Sequence, residues 1–258
     1  MQEETTARKV AIVTGAGRGI GQGIAIQLSR NGYDLGIHYH TSEEGARKTA
    51  ELCQANGART QLFQADIRNP EEIQTLFDAV EQSFGGIDLV VCNAGITRFQ
   101  PFLEATPEMF DLVISTDFKG SYFCAQAGAK NMVRHGKAGC IILISSNHMS
   151  GCWPRASFYA GAKAGIEKAG KNMALELAEY GIRVVTIAPG YTANADWKRS
   201  EALARIESRI PAGRCATPKE IGDAVVFLAS EKAGYITGTT LFIDGGALLP
   251  VVTENRFT

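Results

Sequence analysis

Three residues of this chain have the types and spacing to move a proton: Ser146, Tyr159 and Lys163. Tyr159 and Lys163 lie four apart in Ser157-Phe158-Tyr159-Ala160-Gly161-Ala162-Lys163. If that stretch opens a helix, the two side chains share one face, one above the other. A phenol titrates near pH ~10 and is a poor base at neutrality. A neighbouring ammonium favours the phenolate, and a tyrosine tuned this way can exchange a proton with a substrate hydroxyl or carbonyl. Ser146 stands thirteen residues before Tyr159, just past the apolar run 140–144, which reads as a buried strand. A hydroxyl at the C-terminal end of a strand sits where open α/β sheets bind their ligands. Tyr-x-x-x-Lys alone is common on solvated helix faces, so its meaning depends on the elements around it.

Those elements alternate along the chain. The apolar run 9–14 breaks into Gly15-Ala16-Gly17-Arg18-Gly19-Ile20-Gly21, and a helix with Ile20, Ile24, Ile26 and Leu28 follows to the stop signal Asn31-Gly32. Strand, glycine turn and helix form the context of a dinucleotide site. Glycines let the backbone approach a pyrophosphate, and the helix N-terminus offers unpaired N–H groups to its charge. The spacing is T-G-x-x-x-G-x-G and not the strict G-x-G-x-x-G, and a plain tight connection would also use glycine. A second strand covers 33–39, and Thr41-Ser42-Glu43-Glu44 reads as a capping box between Thr41 and Glu44. Its helix reaches Asn56-Gly57. A third strand, 60–65, ends in Asp66-Ile67, and Pro70 opens a helix to Gly85-Gly86. A fourth strand, 87–92, runs into Asn93-Ala94-Gly95, and one long helical region is expected over 107–135. The Ser146 strand and Tyr159 helix come next, then a strand at 183–187 before Pro189-Gly190. Residues 192–213, with Trp197, Lys198 and Arg199, are less regular and suggest a substrate-covering segment. Pro218 opens another helix, and 240–243 is a last strand before Asp244-Gly245-Gly246. This alternation predicts an α/β, doubly wound parallel sheet (a Rossmann fold) in a single domain, 1–258.

The composition narrows the function. With 26 Lys and Arg against 27 Asp and Glu, the net charge is −1, which argues against nucleic acid or a membrane surface as partner. No apolar run is long enough to span a bilayer, and residues 1–6 are polar and acidic, without the apolar core of a signal peptide. The six cysteines (53, 92, 124, 140, 152 and 215) contain no Cys-x-x-Cys pair and read as reduced, mostly buried thiols. A cytoplasmic protein without a metal site is expected.

Taken together the motifs resemble one family, over roughly residues 8–246. They are Thr14-Gly15-x-x-x-Gly19-x-Gly21, Asn93-Ala94-Gly95, Ser146, Tyr159-x-x-x-Lys163, Pro189-Gly190, Arg214 with Thr217-Pro218, and Asp244-Gly245-Gly246. In this order and spacing the chain is similar to the short-chain dehydrogenases/reductases. The resemblance implies a nicotinamide cofactor across the C-terminal strand ends, with the protein supplying position and proton transfer. It implies Tyr159 as acid/base, Lys163 beside it and on the nicotinamide ribose, and Ser146 on the substrate oxygen. Gly15, Gly17, Arg18, Gly19, Ile20 and Gly21 would hold the pyrophosphate, Asp66 and Ile67 the adenine. Asn93, Ala94 and Gly95 would line the adenosine side, and Pro189, Gly190 and Thr192 the nicotinamide. Two positions depart from the family. Asp117 stands where an asparagine commonly kinks the helix and serves a proton relay; an ionised aspartate accepts hydrogen bonds but cannot donate them. Asn194 stands where a threonine is common. Asp117 also leaves open a protein that binds cofactor without catalysis and acts as a regulator.

Ser146-Asn147-His148 through Trp153-Pro154 to Tyr159, and Gly238-Thr239-Thr240-Leu241-Phe242, resemble the glucose 1-dehydrogenase branch. That implies a sugar or polyol substrate near Ser146, His148, Trp153 and Tyr159, with 3-oxoacyl-carrier-protein reduction as the alternative; His148 and Trp153 could equally pack the loop. The same resemblance implies a homotetramer with interface helices around 107–135 and 155–180. For the cofactor, an NAD site usually places an acid at the end of the second strand. Here that strand runs into His40-Thr41-Ser42, with no acid until Glu43. Arg18 supplies a fork for a 2′-phosphate and His40, Thr41 and Ser42 further donors, so NADP is expected ahead of NAD, with NAD usable.

Overall fold

Strands with no polar face need cover on both sides, and β1 (Lys9–Val13), β4 (Leu89–Cys92) and β5 (Cys140–Ile144) are of this kind, buried along nearly their whole length. The computed structural model describes residues 8–193 and 200–249. In it these strands lie in one parallel sheet with β2 (Tyr33–Tyr39), β3 (Thr60–Gln64), β6 (Arg183–Pro189) and β7 (Thr240–Ile243), in the order β3-β2-β1-β4-β5-β6-β7. Helices α1 (Gly19–Arg30), α2 (Glu43–Gln54) and α8 (Pro218–Ala229) cover one face through Ile24, Leu28, Ala50, Ile221 and Val225. The opposite face is covered by α3 (Pro70–Phe84), α5 (Ser121–Arg134) and α6 (Ser157–Leu177), through Ile73, Phe77, Met132 and Ile166. Strand order reverses between β1 and β4, which opens a crevice at their carboxyl ends, where doubly wound sheets bind ligands.

The expected strands all form, with ends shifted by a residue or two. β1 stops at Val13 and β3 at Gln64, β4 begins at Leu89, and β6 runs on to Pro189. Three expectations need correction. The long helical region expected over 107–135 forms, but in three pieces: α4 (Pro107–Val113), a π-helical stretch (Ile114–Gly120) and α5. The Thr41–Glu44 capping box does not form: Ser42 is the N-cap residue of α2 and makes no side-chain cap bond. A Cβ on Gly17 would stand 2.9 Å from the Ser42 carbonyl oxygen, so packing against the glycine turn, not capping, places this loop. A capping box does form at α8. There Thr217 Oγ1 accepts from the Glu220 N–H at 3.3 Å, the Thr217 N–H donates to Glu220 at 2.8 Å, and Arg214 forks onto the carboxylate at 2.6 and 2.9 Å. Within the stretch read as irregular, α7 (Glu201–Glu207) forms behind a Ser200 cap. Asn194, Trp197, Lys198 and Arg199 lie outside the described residues. No described helix is long and apolar enough to cross a membrane.

Candidate active site

The glycine turn is held from three sides. Thr14 Oγ1 accepts from the N–H groups of Asn93 (2.9 Å) and Ala94 (3.0 Å), and Asn93 Nδ2 donates to the carbonyls of Thr14 (2.9 Å) and Gly15 (3.2 Å). His38 Nδ1 accepts from the Gly15 N–H at 3.1 Å, which leaves Nε2 to donate to the Ala65 carbonyl at 3.0 Å. Burial pushes the His38 imidazole down to about 4, so it is neutral at physiological pH and suited to these two bonds. Gly15 and Gly19 adopt φ of +66° and +55°, which favours glycine. A side chain on Gly19 would project into open space, where its absence lets a ligand approach the backbone. α1 starts at Gly19 with no side-chain cap and no acid in its first turn, leaving its N–H groups to an anion.

The second half of the site is built where α6 crosses the π-helical stretch. Asp117, 1% exposed, accepts from the Ile96 N–H through Oδ1 at 2.8 Å. Its Oδ2 stands 3.2 Å from Lys163 Nζ, an ion pair not aligned as a hydrogen bond. Lys163 Nζ also donates to the Ile144 carbonyl at 3.1 Å, and Ser145 Oγ donates to the Lys163 carbonyl at 2.7 Å. Burial alone pulls the Lys163 ammonium down, but Asp117 and Tyr159 outweigh it and hold it above the ordinary lysine value. A Cβ on Gly95 would stand 2.9 Å from Asp117 Oδ2 and 3.3 Å from Lys163 Nζ; only glycine leaves that space open. Lys163 Nζ lies 5.8 Å from the Tyr159 ring centre. The ring itself is buried against Val113, Phe158 and Ala162. Ser146 Oγ accepts from the His148 N–H at 3.3 Å, which leaves its own proton for another acceptor.

Beside Tyr159 stand three nearly parallel rings. His148 stacks on Trp153 at 4.0 Å and faces Phe99 at 5.6 Å, while Phe99 and His148 each meet Tyr159 edge-on, at 5.7 and 5.3 Å. His148 Nδ1 is buried without a partner. His148 and Trp153 thus pack as an aromatic stack beside Tyr159 that carries one unpaired ring nitrogen.

A cleft of about 1560 Å³ runs from the glycine turn to Tyr159, larger than a pocket for one drug-sized ligand, roughly 300–1,000 Å³. Most of the sequence-predicted residues line it: Gly15, Gly17, Arg18, Gly19, Ile20, Gly21, His40, Thr41, Ser42, Asp66, Ile67, Asn93, Ala94, Gly95, Asp117, Tyr159 and Lys163. Ser146, His148, Trp153, Pro189, Gly190 and Thr192 stand outside this lining; the Thr192 hydroxyl donates to the Gly190 carbonyl at 3.2 Å. Asp66 is clamped by a fork from Arg68, whose hydrogen bonds hold the carboxyl below its usual range. Residues that sequence reasoning missed add charge. Arg30, Lys48, Arg68, Arg98 and Lys219 join Arg18 and Lys163, so seven Lys and Arg face the cleft against two acids, Asp66 and Asp117. Lys48 is carried there by packing: Gly45 packs against Gly17, and Lys48 lies three residues on, on the same helix face. A polyanionic dinucleotide fits this cradle of bare glycine backbone, uncapped helix and cations. Among the described residues no cluster of metal-ligating side chains exists.

A doubly wound sheet with such a cleft and a Tyr-Lys pair over its carboxyl ends defines a dinucleotide-dependent enzyme. The chain belongs to the short-chain dehydrogenase/reductase family: residues 15–247 match the family model described as Enoyl-(Acyl carrier protein) reductase. It is 37% identical over 245 residues to 3beta-hydroxysteroid dehydrogenase 1 of Eggerthella lenta, covering 93% of this chain and 94% of that one. It is 37% identical over 240 residues to the 3-oxoacyl-[acyl-carrier-protein] reductase FabG of Staphylococcus aureus strain Mu50 (92% and 97% covered). To glucose 1-dehydrogenase 2 of Bacillus subtilis it is 35% identical over 245 residues (93% and 95%). Among solved structures, acetoin dehydrogenase from Enterobacter cloacae superposes with a TM-score of 0.89 at 33% identity, covering 99% of this chain and 100% of that one. The protein is thus an NAD(P)-dependent oxidoreductase acting on a hydroxyl or carbonyl group.

Proposed function

We propose that Tyr159 exchanges the proton in this reaction, with Ser146 holding the substrate oxygen and Lys163 charging the site. One observation carries the reading: a buried ammonium beside the Tyr159 ring, on the helix that follows the Ser146 strand end. In carbonyl reduction Tyr159 gives its proton to the carbonyl oxygen, and the Ser146 hydroxyl donates a hydrogen bond to the same oxygen. The cleft around the glycine turn would hold a nicotinamide dinucleotide, whose chemistry would be hydride transfer to the carbonyl carbon, or from the alcohol carbon in reverse. Binding by the glycine turn and the surrounding cations orients that cofactor. Tyr159→Phe removes only the titrating oxygen; turnover falls by about 10²-fold or more, while cofactor titration by fluorescence stays near the unmodified value. Near-normal turnover in this variant overturns the assignment.

We read NADP(H) as preferred and NAD(H) as usable. Support comes from the excess of cations along the cleft and from Glu43, whose carboxylate pairs with Arg47 at 2.6 Å and does not line the cleft. For the substrate we place a sugar or polyol first, on the similarity to glucose 1-dehydrogenase 2. The stacked rings of Phe99, His148 and Trp153 support a second reading, a 3-oxoacyl thioester, as does the similarity to FabG. A panel of sugars, polyols, small ketones and acetoacetyl thioester, followed by nicotinamide absorbance, separates the two. A reduced, cytoplasmic setting agrees with six unpaired cysteines, of which Cys152 is exposed.

A further inference from the structure

Asp117 introduces a charge into the heart of the site that proton exchange by Tyr159 does not itself require. An asparagine could accept from the Ile96 N–H through the same Oδ1 and hold the loop after β4 as well. The carboxylate differs in one respect: it stands 3.2 Å from the ammonium beside the Tyr159 ring, and both partners are buried where they line the cleft. A lone ammonium acts on the phenol as a full positive charge. Paired with a carboxylate it acts as a dipole, whose pull on the phenolate falls off faster with distance.

We propose that Asp117 biases this enzyme toward carbonyl reduction near neutral pH: by neutralising Lys163 it opposes loss of the Tyr159 proton, and so confines alcohol oxidation to more alkaline pH. The proposal rests on Tyr159 being the proton-exchanging group. Among the described residues few other ionisable groups face the pair. Arg98, on the loop after β4, is exposed and lines the open cleft. His148, on the turn after β5, meets the Tyr159 ring at 5.3 Å, and burial pushes its imidazole down, so it is neutral over the alkaline range. Asp111 and Lys119, on the same helical run as Asp117, are exposed. The raised ammonium of Lys163 agrees with a tight pair that persists across that range.

The test needs no known substrate. Tyrosinate absorbance near 295 nm is titrated in the unmodified protein and in Asp117→Asn, each corrected by the matching Tyr159→Phe variant to isolate Tyr159 among the seven tyrosines. Asp117→Asn moves the Tyr159 ionisation toward acid by about one pH unit or more. With whichever alcohol the panel identifies, the rising limb of oxidation against pH moves the same way, and the ratio of kcat for oxidation to kcat for reduction at pH 7 rises about tenfold. Asp117→Ser, also neutral, gives the same direction and serves if the asparagine variant does not fold. A folded neutral variant whose titration and limb stay in place, or move to higher pH, overturns the role of Asp117. If instead Tyr159→Phe alone retains turnover, it is the assignment of Tyr159 that fails.

Discussion

Arg18 closes the glycine turn in an extended conformation, with its side chain exposed at the mouth of the cleft and free of any capping duty. His40 lies across the same end, 3.8 Å from Asp66. A guanidinium there can fork onto a 2′-phosphate, and a hydrogen bond to a charged group is worth about 1.5–3 kcal/mol. Arg18→Ala is therefore expected to weaken NADP binding roughly 10- to 100-fold while NAD binding changes no more than about 3-fold. Equal losses, or tighter binding of NAD by the unmodified protein, would mean that the loop after β2 does not select the phosphate. Residues of this kind were readable because they are local: Tyr159 and Lys163 meet through a four-residue helical spacing, and Arg18 belongs to the turn itself. Arg68 and Arg98 were not, because the chain's folding and not its spacing carries them to the cleft.

At the scale of elements, two devices hold the site, and neither has a periodic signature. The π-helical stretch lies inside a run whose apolar pattern reads as one helix. What accompanies it is tertiary: Asp117 accepts from Ile96, and a Cβ on Gly120 would stand 2.8 Å from the Ile67 carbonyl oxygen. Such stretches recur at functional sites. The second device is His38, which reaches out of β2 to tie the glycine turn to the end of β3. Its value of about 4 lies below the ~6.5 of a free imidazole. The unfolded chain therefore takes up the proton first. The tie is without penalty above pH ~6.5, and stability falls as pH drops from there to about 4. The difference amounts to about 3 kcal/mol, at 1.36 kcal/mol per pH unit. His38→Asn keeps an acceptor for Gly15 and removes the titration. Denaturant unfolding of the variant between pH 7 and 4 should lose correspondingly less stability than the unmodified protein; coincident slopes would remove His38 as the cause.

Among the described residues, exposed apolar side chains recur on two groups of elements. One is formed by Phe102, Leu103 and Phe110 around α4, with Tyr122 and Val133 on α5; Leu103 is 96% exposed. The other lies at the β7 edge of the sheet, where Leu241 and Phe242 join Leu175 of α6, itself 80% exposed. There α6 is fastened to the edge strand by Glu167, which accepts from Thr240 at 2.9 Å, and by Ala174 against Gly238. Apolar side chains left exposed on an element mark candidate interaction sites, and an open sheet edge invites pairing. A single two-fold axis can cover one self-complementary face but not both, whereas two independent two-fold contacts close into a tetramer of D2 symmetry. Light scattering of the purified protein is expected to give four times the 27.7 kDa chain mass. Leu175→Glu should leave dimers held through the α4–α5 face, and adding Phe110→Glu should leave monomers with the same circular dichroism. A monomeric unmodified protein would show that neither face joins copies of this chain, and a tetramer untouched by both charges would place its interfaces elsewhere.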